Sequence, residues 1–342
     1  MRYLLQDKKY YKANLHTHTT VSDGKLTPEE TKALYKEQGY SILALTDHSV
    51  TVSHQYLNDP DFLLLTGVEI DATENKPFRE GSKIAKCRHM CLIAKEPDNL
   101  WLPYRDRNPK ECSVPYFDNC VIEGMSDEYT TEAMNAVIAK ANEKGFLVTY
   151  NHPVWSLENY ADYAPMKGLW GMEYRNSGCI AAGYDENNGH VYQDLLHLGN
   201  RIVPVCADDM HRVSKPNGMR VLGASWVMIG AEKLEYSSVI AAMERGDLYA
   251  SCGPEIYSVS IDGDELRIRC SEAVRIQVVT HSRHAYARIP QAPAETLTEA
   301  EVKLEKFFEK YGTDPDGFVR IIVTDAKGDY AVTRAYWMDE LK

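Results

Sequence analysis

No apolar run in this 342-residue chain approaches the ~20 residues a helix needs to cross a bilayer, so a helical membrane protein is excluded. The N-terminal residues Met1 to Lys9 hold no continuous apolar stretch either, and no secretory signal peptide is expected. A basic surplus is also missing: the net charge of −12 leaves no electrostatic footprint for nucleic acid, and that partner class is disfavoured. The eight cysteines (87, 91, 112, 120, 179, 206, 252 and 270) include no Cys-x-x-Cys pair. In a chain of this size without a secretion signal they read as reduced, mostly buried thiols, with Cys206 in the core. The expected compartment is the cytoplasm.

What is present is ordinary in bulk and specific in pattern. Hydrophobic residues make up 44% and charged residues 26%, enough apolar material for a substantial core. Residues 14–24 read Asn-Leu-His-Thr-His-Thr-Thr-Val-Ser-Asp-Gly, which sets His16 and His18 two apart at the end of a short strand. Alternate residues of a strand share a face, so both imidazoles reach one cation; on a helix the same spacing splays them. Asp23 adds an oxygen donor on the turn marked by Gly24. The arrangement then recurs. Thr46-Asp47-His48, Gly67-Val68-Glu69, Arg88-His89, Asn151-His152-Pro153 and Asp208-Asp209-Met210-His211 each place a metal-competent side chain at the end of an apolar run. Together these segments predict a multinuclear metal site.

Over the first 250 residues strand-like and helix-like segments alternate. Short apolar runs at 13–16, 42–45, 62–68, 90–94, 146–149, 169–173 and 202–207 predict strands. Thr27-Pro28-Glu29-Glu30 starts a helix ending near Gly39, with Thr27 as N-cap and Glu30 closing a capping box. Helical spacing of Ala133, Met134, Val137, Ile138 and Ala141 predicts a second helix within 127–144, and 185–198 forms a third. This alternation indicates a parallel sheet closed into a barrel, with ligand candidates at the C-terminal strand ends, where barrel enzymes carry their chemistry. Two irregular stretches, 74–86 and 96–124, read either as lids and substrate walls or as surface loops. From Gly253 the pattern changes to strands around 256–261, 266–268, 274–279, 319–324 and 330–337, with one inserted helix over 297–311. No catalytic constellation falls there.

The ordered set His16-x-His18, Asp23, Thr46-Asp47-His48, Gly67-Val68-Glu69, His89, Asn151-His152-Pro153 and Asp209-Met210-His211 resembles the polymerase-and-histidinol-phosphatase (PHP) superfamily. The resemblance covers roughly residues 10–215 and takes in each ligand block in order; the strand block Gly171–Asn176, with its Glu and Asn, also fits. Gly246–Pro254 followed by β structure is similar to a stand-alone branch of phosphoesterases and carbamate-ester hydrolases with a C-terminal β domain. The resemblance implies an α/β fold: a distorted (β/α)7 barrel of PHP type over residues 1–252, followed by a small antiparallel β domain over 253–342. It further implies two or three divalent ions of zinc, manganese or iron. His16, His18, Glu69 and Asp209 would hold the first, Glu69 would bridge to a second completed by His89 and His152, and Asp23, His48 and His211 would hold the third. Some relatives carry histidine at the Asp23 position; a carboxylate there is harder and favours manganese or iron. Glu69, His152, Asp209 and His211 are the expected catalytic residues. Asp47, Asn151 and Asp208 point away by strand alternation and are expected to support the ligands.

Three divalent ions bring about +6 against about −3 from Asp23, Glu69 and Asp209, and the surplus favours a dianionic phosphate monoester over a neutral ester. Water on such an ion has its pKa lowered toward about 7, which makes hydroxide available as nucleophile at neutral pH. The expected activity is hydrolysis of a small phosphorylated metabolite: a nucleotide, a sugar phosphate or histidinol phosphate. Lys25, Arg88, Arg105, Arg107, Arg175 and Arg212 are candidates to bind the phosphate, each set against a structural or solvated charge. Two alternatives stay open: a PHP-type hydrolase of a carboxyl, carbamate or amide ester, and a metal-binding module without turnover.

Overall fold

The computed structural model describes residues 1–75, 84–106, 109–292 and 295–342. Its first part carries strands β1 (Arg2–Leu5), β2 (Tyr11–Asn14), β3 (Ile42–Leu45), β4 (Leu63–Thr73), β5 (Cys87–Ala94), β6 (Trp101–Leu102), β7 (Val121–Ile122), β8 (Phe146–Tyr150), β9 (Gly171–Asn176), β10 (Val203–Ala207), β11 (Trp226–Ile229) and β12 (Leu248–Ser251). Helices α1 (Pro28–Glu37), α2 (Thr131–Glu143), α3 (Tyr160–Tyr163), α4 (Ser177–Ala182), α5 (Gly189–His197) and α6 (Tyr236–Glu244) lie between them. The remainder holds β13 (Ile256–Asp262), β14 (Glu265–Ala273), β15 (Arg275–Thr280), β16 (Ala285–Arg288), β17 (Leu297–Lys303), α7 (Glu305–Tyr311), β18 (Phe318–Thr324), β19 (Tyr330–Thr333), β20 (Tyr336–Trp337) and α8 (Met338–Leu341).

A large mixed sheet runs β10-β9-β8-β5-β4-β3-β2-β11-β12-β19-β18-β15-β16, with β20 paired to β18, and a second sheet runs β1-β13-β14-β17. Within the seven strands from β10 to β2, the ladders β2–β3, β3–β4, β8–β9 and β9–β10 are parallel. β5 departs from the expected parallel sheet: it is antiparallel to both β4 and β8, a pairing that needs no crossover helix. A parallel bridge between Thr17 and Met210 joins the segments that follow β2 and β10, the two ends of this seven-strand run. Alternate residues of β2, β3, β4, β10 and β11 (Ala13, Ile42, Ala44, Leu63, Leu65, Val203, Val205, Val227 and Ile229) form one core cluster with Val239, Ile240 and Met243 of α6.

Local signals account for the helix starts. Thr27 Oγ1 accepts from Glu30 N (3.2 Å) and Thr27 N donates to Glu30 Oε2 (2.9 Å), the capping box that opens α1. The helix expected over 297–311 is a helix only from Glu305; Leu297–Lys303 instead adds a strand to β14, with Ala300 opposite Ile268 and Val302 opposite Leu266. A free sheet edge with apolar partners outweighs helix propensity here. Strands also pair across the expected boundary at residue 252, with β1 on β13 and β12 on β19. The cysteines are free thiols, with Cys112 exposed, Cys87 and Cys120 half-buried and the others buried. Among the described residues no helix is long and apolar enough to cross a membrane.

Candidate metal centre

Beyond Asn14 the extended chain presents His16 and His18 on the same side, with Thr17 between them bridged to Met210. His18 N donates to Met210 O (3.1 Å) and Asp209 N to His16 O (3.0 Å), which locks this segment to the exit of β10. Thr46 N donates to Thr17 O (2.9 Å) and Glu69 N to Thr46 O (3.1 Å), so the exits of β2 and β3 are tied to the middle of β4. Glu69 lies inside β4 because that strand runs on to Thr73. His89 precedes its apolar run instead of ending it; β5 is antiparallel, so its start reaches the mouth where the parallel strands end. His152 follows β8, and Asp209 and His211 follow β10. Gly24 is needed for the turn: a Cβ there would stand 2.5 Å from His18 O.

These elements bring His16, His18, Asp23, His48, Glu69, His89, His152, Asp209 and His211 into one cluster. The two oxygens of Glu69 divide it. Oε1 lies 3.0 Å from His89 Nδ1 and 3.1 Å from His152 Nε2, while Oε2 lies 3.2 Å from both His16 Nε2 and His18 Nε2 and 3.3 Å from His48 Nδ1. Asp209 Oδ1 sits 3.2 to 3.4 Å from His18, His16 and His211. Asp23 Oδ1 faces His211 Nε2 at 3.3 Å, His18 Nδ1 at 3.8 Å and His48 Nε2 at 3.9 Å. Ligands about 2.1 Å from one ion stand roughly 3.0–3.4 Å from each other in octahedral or tetrahedral geometry, so the spacings around Glu69 and Asp209 suit divalent cations, while Asp23 stands wider from His18 and His48. The donor chemistry fits as well: Asp209 Oδ1 and His18 Nδ1 are buried with no hydrogen-bond partner, and burying such atoms bare is costly.

Burial opposes charge on Glu69, Asp209, His16, His18 and His48, and the neighbours decide the outcome. It would raise Glu69, yet His16, His89 and His48 hold that carboxyl well below its ordinary range; His16, His18 and His211 do the same for Asp209. Burial likewise opposes the positive form of His16, but Cys91 and the Glu69, Asp209 and Glu173 carboxylates push it well up. His18 is pushed up to about 9 against burial by Asp209 and Glu69, whereas burial and the neighbouring His18 push His48 well down.

The supporting side chains are less visible in the sequence. Glu173, fully buried in β9, binds His16 Nδ1 (2.6 Å) through Oε1, while its Oε2 accepts from His152 N and Asn176 Nδ2 (both 2.9 Å). In the sequence it stands out only as part of the block Gly171–Asn176 with its Glu and Asn, which does not reveal the partner it holds. Asp47 accepts from the amides and hydroxyls of Thr19 and Ser22 (2.8 to 3.1 Å), and Asp208 accepts from the amides of Gly223, Ala224 and Ser225 (2.7 to 3.0 Å). Both face away from the cluster and hold loops. Asn151 does not: its Nδ2 donates to Glu69 Oε1 at 2.8 Å. His152 and Asp209 themselves have positive φ (21° and 48°), as does Ser49 beside His48 (56°), a strained backbone of the kind that clusters at functional sites.

A cavity of about 490 Å³ opens on the cluster, lined by Asp23, His48, Glu69, His89, His152, Asp209 and His211 and walled by Trp155. The Trp155 ring packs 4.9 Å from His89 and 5.0 Å from His152. Lys25 and Arg212 line it, joined by Lys215, which the sequence did not single out. Arg88, Arg105 and Arg175 are not among the lining residues. Arg88 is buried against Glu158 (2.7 Å), Arg105 lies over the Phe117 ring (4.7 Å), and Arg175 donates to Asn187 (2.8 Å). Arg107 lies outside the described residues.

No family model and no curated relative matches the chain. Among solved structures it is similar to a two-domain protein from Bacteroides vulgatus containing a PHP-like metal-dependent phosphoesterase assigned by prediction, with 12% identity over 98% of both chains and a TM-score of 0.40. A provisionally named metal-dependent phosphoesterase from Bifidobacterium adolescentis shows 16% identity over 65% of this chain and 94% of its own, with a TM-score of 0.36. An amidohydrolase from Chromobacterium violaceum, with bound sulfate and no metal, shows 14% identity over 61% of this chain and 89% of its own, with a TM-score of 0.37. At these scores the likeness carries no activity over to this chain.

Proposed function

We propose that this protein is a metal-dependent phosphoric ester hydrolase acting on a small phosphorylated metabolite. The barrel domain, residues 1–252, would form a distorted (β/α)7 barrel of PHP type, and residues 253–342 an appended β-rich domain. The observation that carries the reading is the division of Glu69 between two sets of imidazoles, at 3.0 to 3.3 Å, on the floor of a cavity rimmed by cationic side chains. The seven-strand run with its ends joined at Thr17 and Met210 supports the barrel.

In this reading His16, His18, Glu69 and Asp209 hold one ion, Glu69, His89 and His152 a second, and Asp23, His48 and His211 a third. Bound zinc, manganese or iron supplies Lewis acidity and a water of lowered pKa. The chain's own groups do the aiming. Glu173 fixes His16 through Nδ1 and so directs Nε2 inward, and Asn151 orients Glu69. Counting Glu173 with Asp23, Glu69 and Asp209, the carboxylates that face the cluster's imidazoles bring about −4 against about +6, still a surplus that favours a dianion. Lys25, Arg212 and Lys215 add to that preference at the rim.

The test is metal analysis together with a phosphatase screen over nucleotides and sugar phosphates, with manganese, zinc and iron each supplied. Hydrolysis of p-nitrophenyl phosphate well above that of p-nitrophenyl acetate is expected. The reverse order would replace the phosphate ester with a carboxyl, carbamate or amide ester. Stoichiometric metal with no hydrolysis across the panel would leave a binding module.

A further inference from the structure

The Asp23 carboxylate is held from two sides. Its Oδ1 faces His211, His18 and His48 and lies 3.3 Å from Ser22 Oγ, while Oδ2 lies 2.8 Å from Lys110 Nζ. Lys110 belongs to the irregular stretch 96–124, and two residues close behind it grip the same loop. Cys112 Sγ donates to Ser22 O (2.7 Å) and Ser113 Oγ to Val21 O (2.9 Å). On its inner side the loop is pinned by Asp47 through Thr19 and Ser22. The loop that delivers Asp23 is thus clamped between β3's exit and residues 110–113.

This matters most for the third ion set. The side chains of Asp23, His48 and His211 are 31%, 20% and 25% exposed, against 1% or less for His16, His18 and Glu69. Close packing orients the inner donors; the outer carboxylate has water on one side and would rotate without a second anchor. We infer that Lys110 is a positioning residue for the third cation site: its ammonium holds Asp23 Oδ2 so that Oδ1 stays turned toward His48 and His211. The stretch 110–113 is then a structural part of that site and not a lid over the substrate. The positive charge of Lys110 opposes a nearby cation, but at 46% exposure it is screened by solvent, and orientation outweighs repulsion. The third ion is consequently the most exchangeable of the set.

This inference rests on the metal-centre reading, and its test separates the two. Metal-free protein is titrated with manganese by calorimetry, with ion content measured after gel filtration. Wild type takes up three ions. Lys110→Met retains two and binds the third about 10–100-fold more weakly, the usual effect of losing an outer partner of a ligand, and Lys110→Arg restores it. Should Lys110→Met fail to fold, Ser113→Ala is read in the same titration, with a smaller weakening confined to the third ion. Three ions bound to Lys110→Met at wild-type affinity, or a tighter third ion, would overturn the positioning role while leaving the metal centre standing. Wild-type protein that takes up no ions would overturn both.

Discussion

Before residue 252, in the part that bears the cavity, the chain buries His16, His18, Asp47, Glu69, Arg88, Asn151, His152, Glu173, Glu186 and Asp208, whereas β13 to β20 bury Val259, Ile268, Val278, Val319, Ile321 and Val323. The polar residues buried beyond residue 252 are Ser258, Ser260, Thr280, Arg320 and Thr333. Only one of those ionises at neutral pH. Taking carboxylates and imidazoles out of water is expensive unless each meets an opposite charge, a hydrogen bond or a cation. Among the described residues, the non-glycine residues with positive φ (Ser49, His152, Leu157 and Asp209) also fall in the cavity-bearing part, at about 1–3 kcal/mol each. One region therefore adds folding free energy through apolar sheet packing, and the other gives some of it up to hold a charged constellation in place.

The comparison breaks most sharply at Glu69. Glu69→Gln removes the carboxylate whose two oxygens face His89 and His152 on one side and His16, His18 and His48 on the other, which in the proposed reading joins two ion sites. Activity should fall about a thousand-fold or more, equivalent to about 4 kcal/mol, and ion content should drop with it. Retention of full ion content and rate would show that the shared carboxylate is dispensable. The opposite region answers to a different measurement. Ile268, fully buried in β14 opposite Ala300, packs with Leu266 and Val259. Ile268→Ala should cost about 2–4 kcal/mol in urea unfolding while leaving the rate per folded molecule and the ion content unchanged. A parallel loss of metal would mean the two regions are not energetically separable.

Much of this division is legible in the order of residues alone, because ligand blocks such as His16-Thr17-His18 and Asn151-His152-Pro153 are local and their apolar lead-ins mark the strands. What is not legible depends on partners far along the chain. Arg88 next to His89 has the look of a phosphate contact, yet Glu158 claims it from 70 residues away. Glu173 stands out with Asn176 in the block Gly171–Asn176, but its hold on His16 shows only once the fold brings them together. The turn of β5 is invisible to periodicity, since an apolar run has no direction. Lys110 meets Asp23 only through the docking of an irregular stretch, and residues 297–303 become a strand only because β14 offers an edge.

Glu173→Gln sharpens the comparison at a single buried side chain. Both oxygens of Glu173 accept, one from His16 and one from the His152 amide and Asn176. A glutamine presents an NH₂ to one of these donors, so at least one buried donor goes unmet, at about 1–3 kcal/mol. Affinity at the first ion set should fall about 10–100-fold, and thermal unfolding should move down as well. Unlike Ile268→Ala, this variant lowers stability and metal affinity together. An unchanged titration curve would remove Glu173 from the set of residues that aim the ligands.

The smallest expected effect lies at the rim. Lys215 lines the cavity half-buried, and no ion pair to it is found among the described residues. Its influence on a phosphate is that of a screened point charge. Lys215→Ala should raise KM for a phosphate monoester several-fold, up to about ten-fold or about 1.4 kcal/mol, and leave kcat within about two-fold. Raising the salt from about 0.05 M to about 0.5 M should shrink the gap between variant and wild type, because the Debye length falls from about 14 Å to about 4 Å. A neutral ester offered to both proteins should show no difference. If kcat falls instead of KM rising, Lys215 acts on the reacting group itself, and the boundary between a charged rim and a metal-bearing floor moves outward to include it.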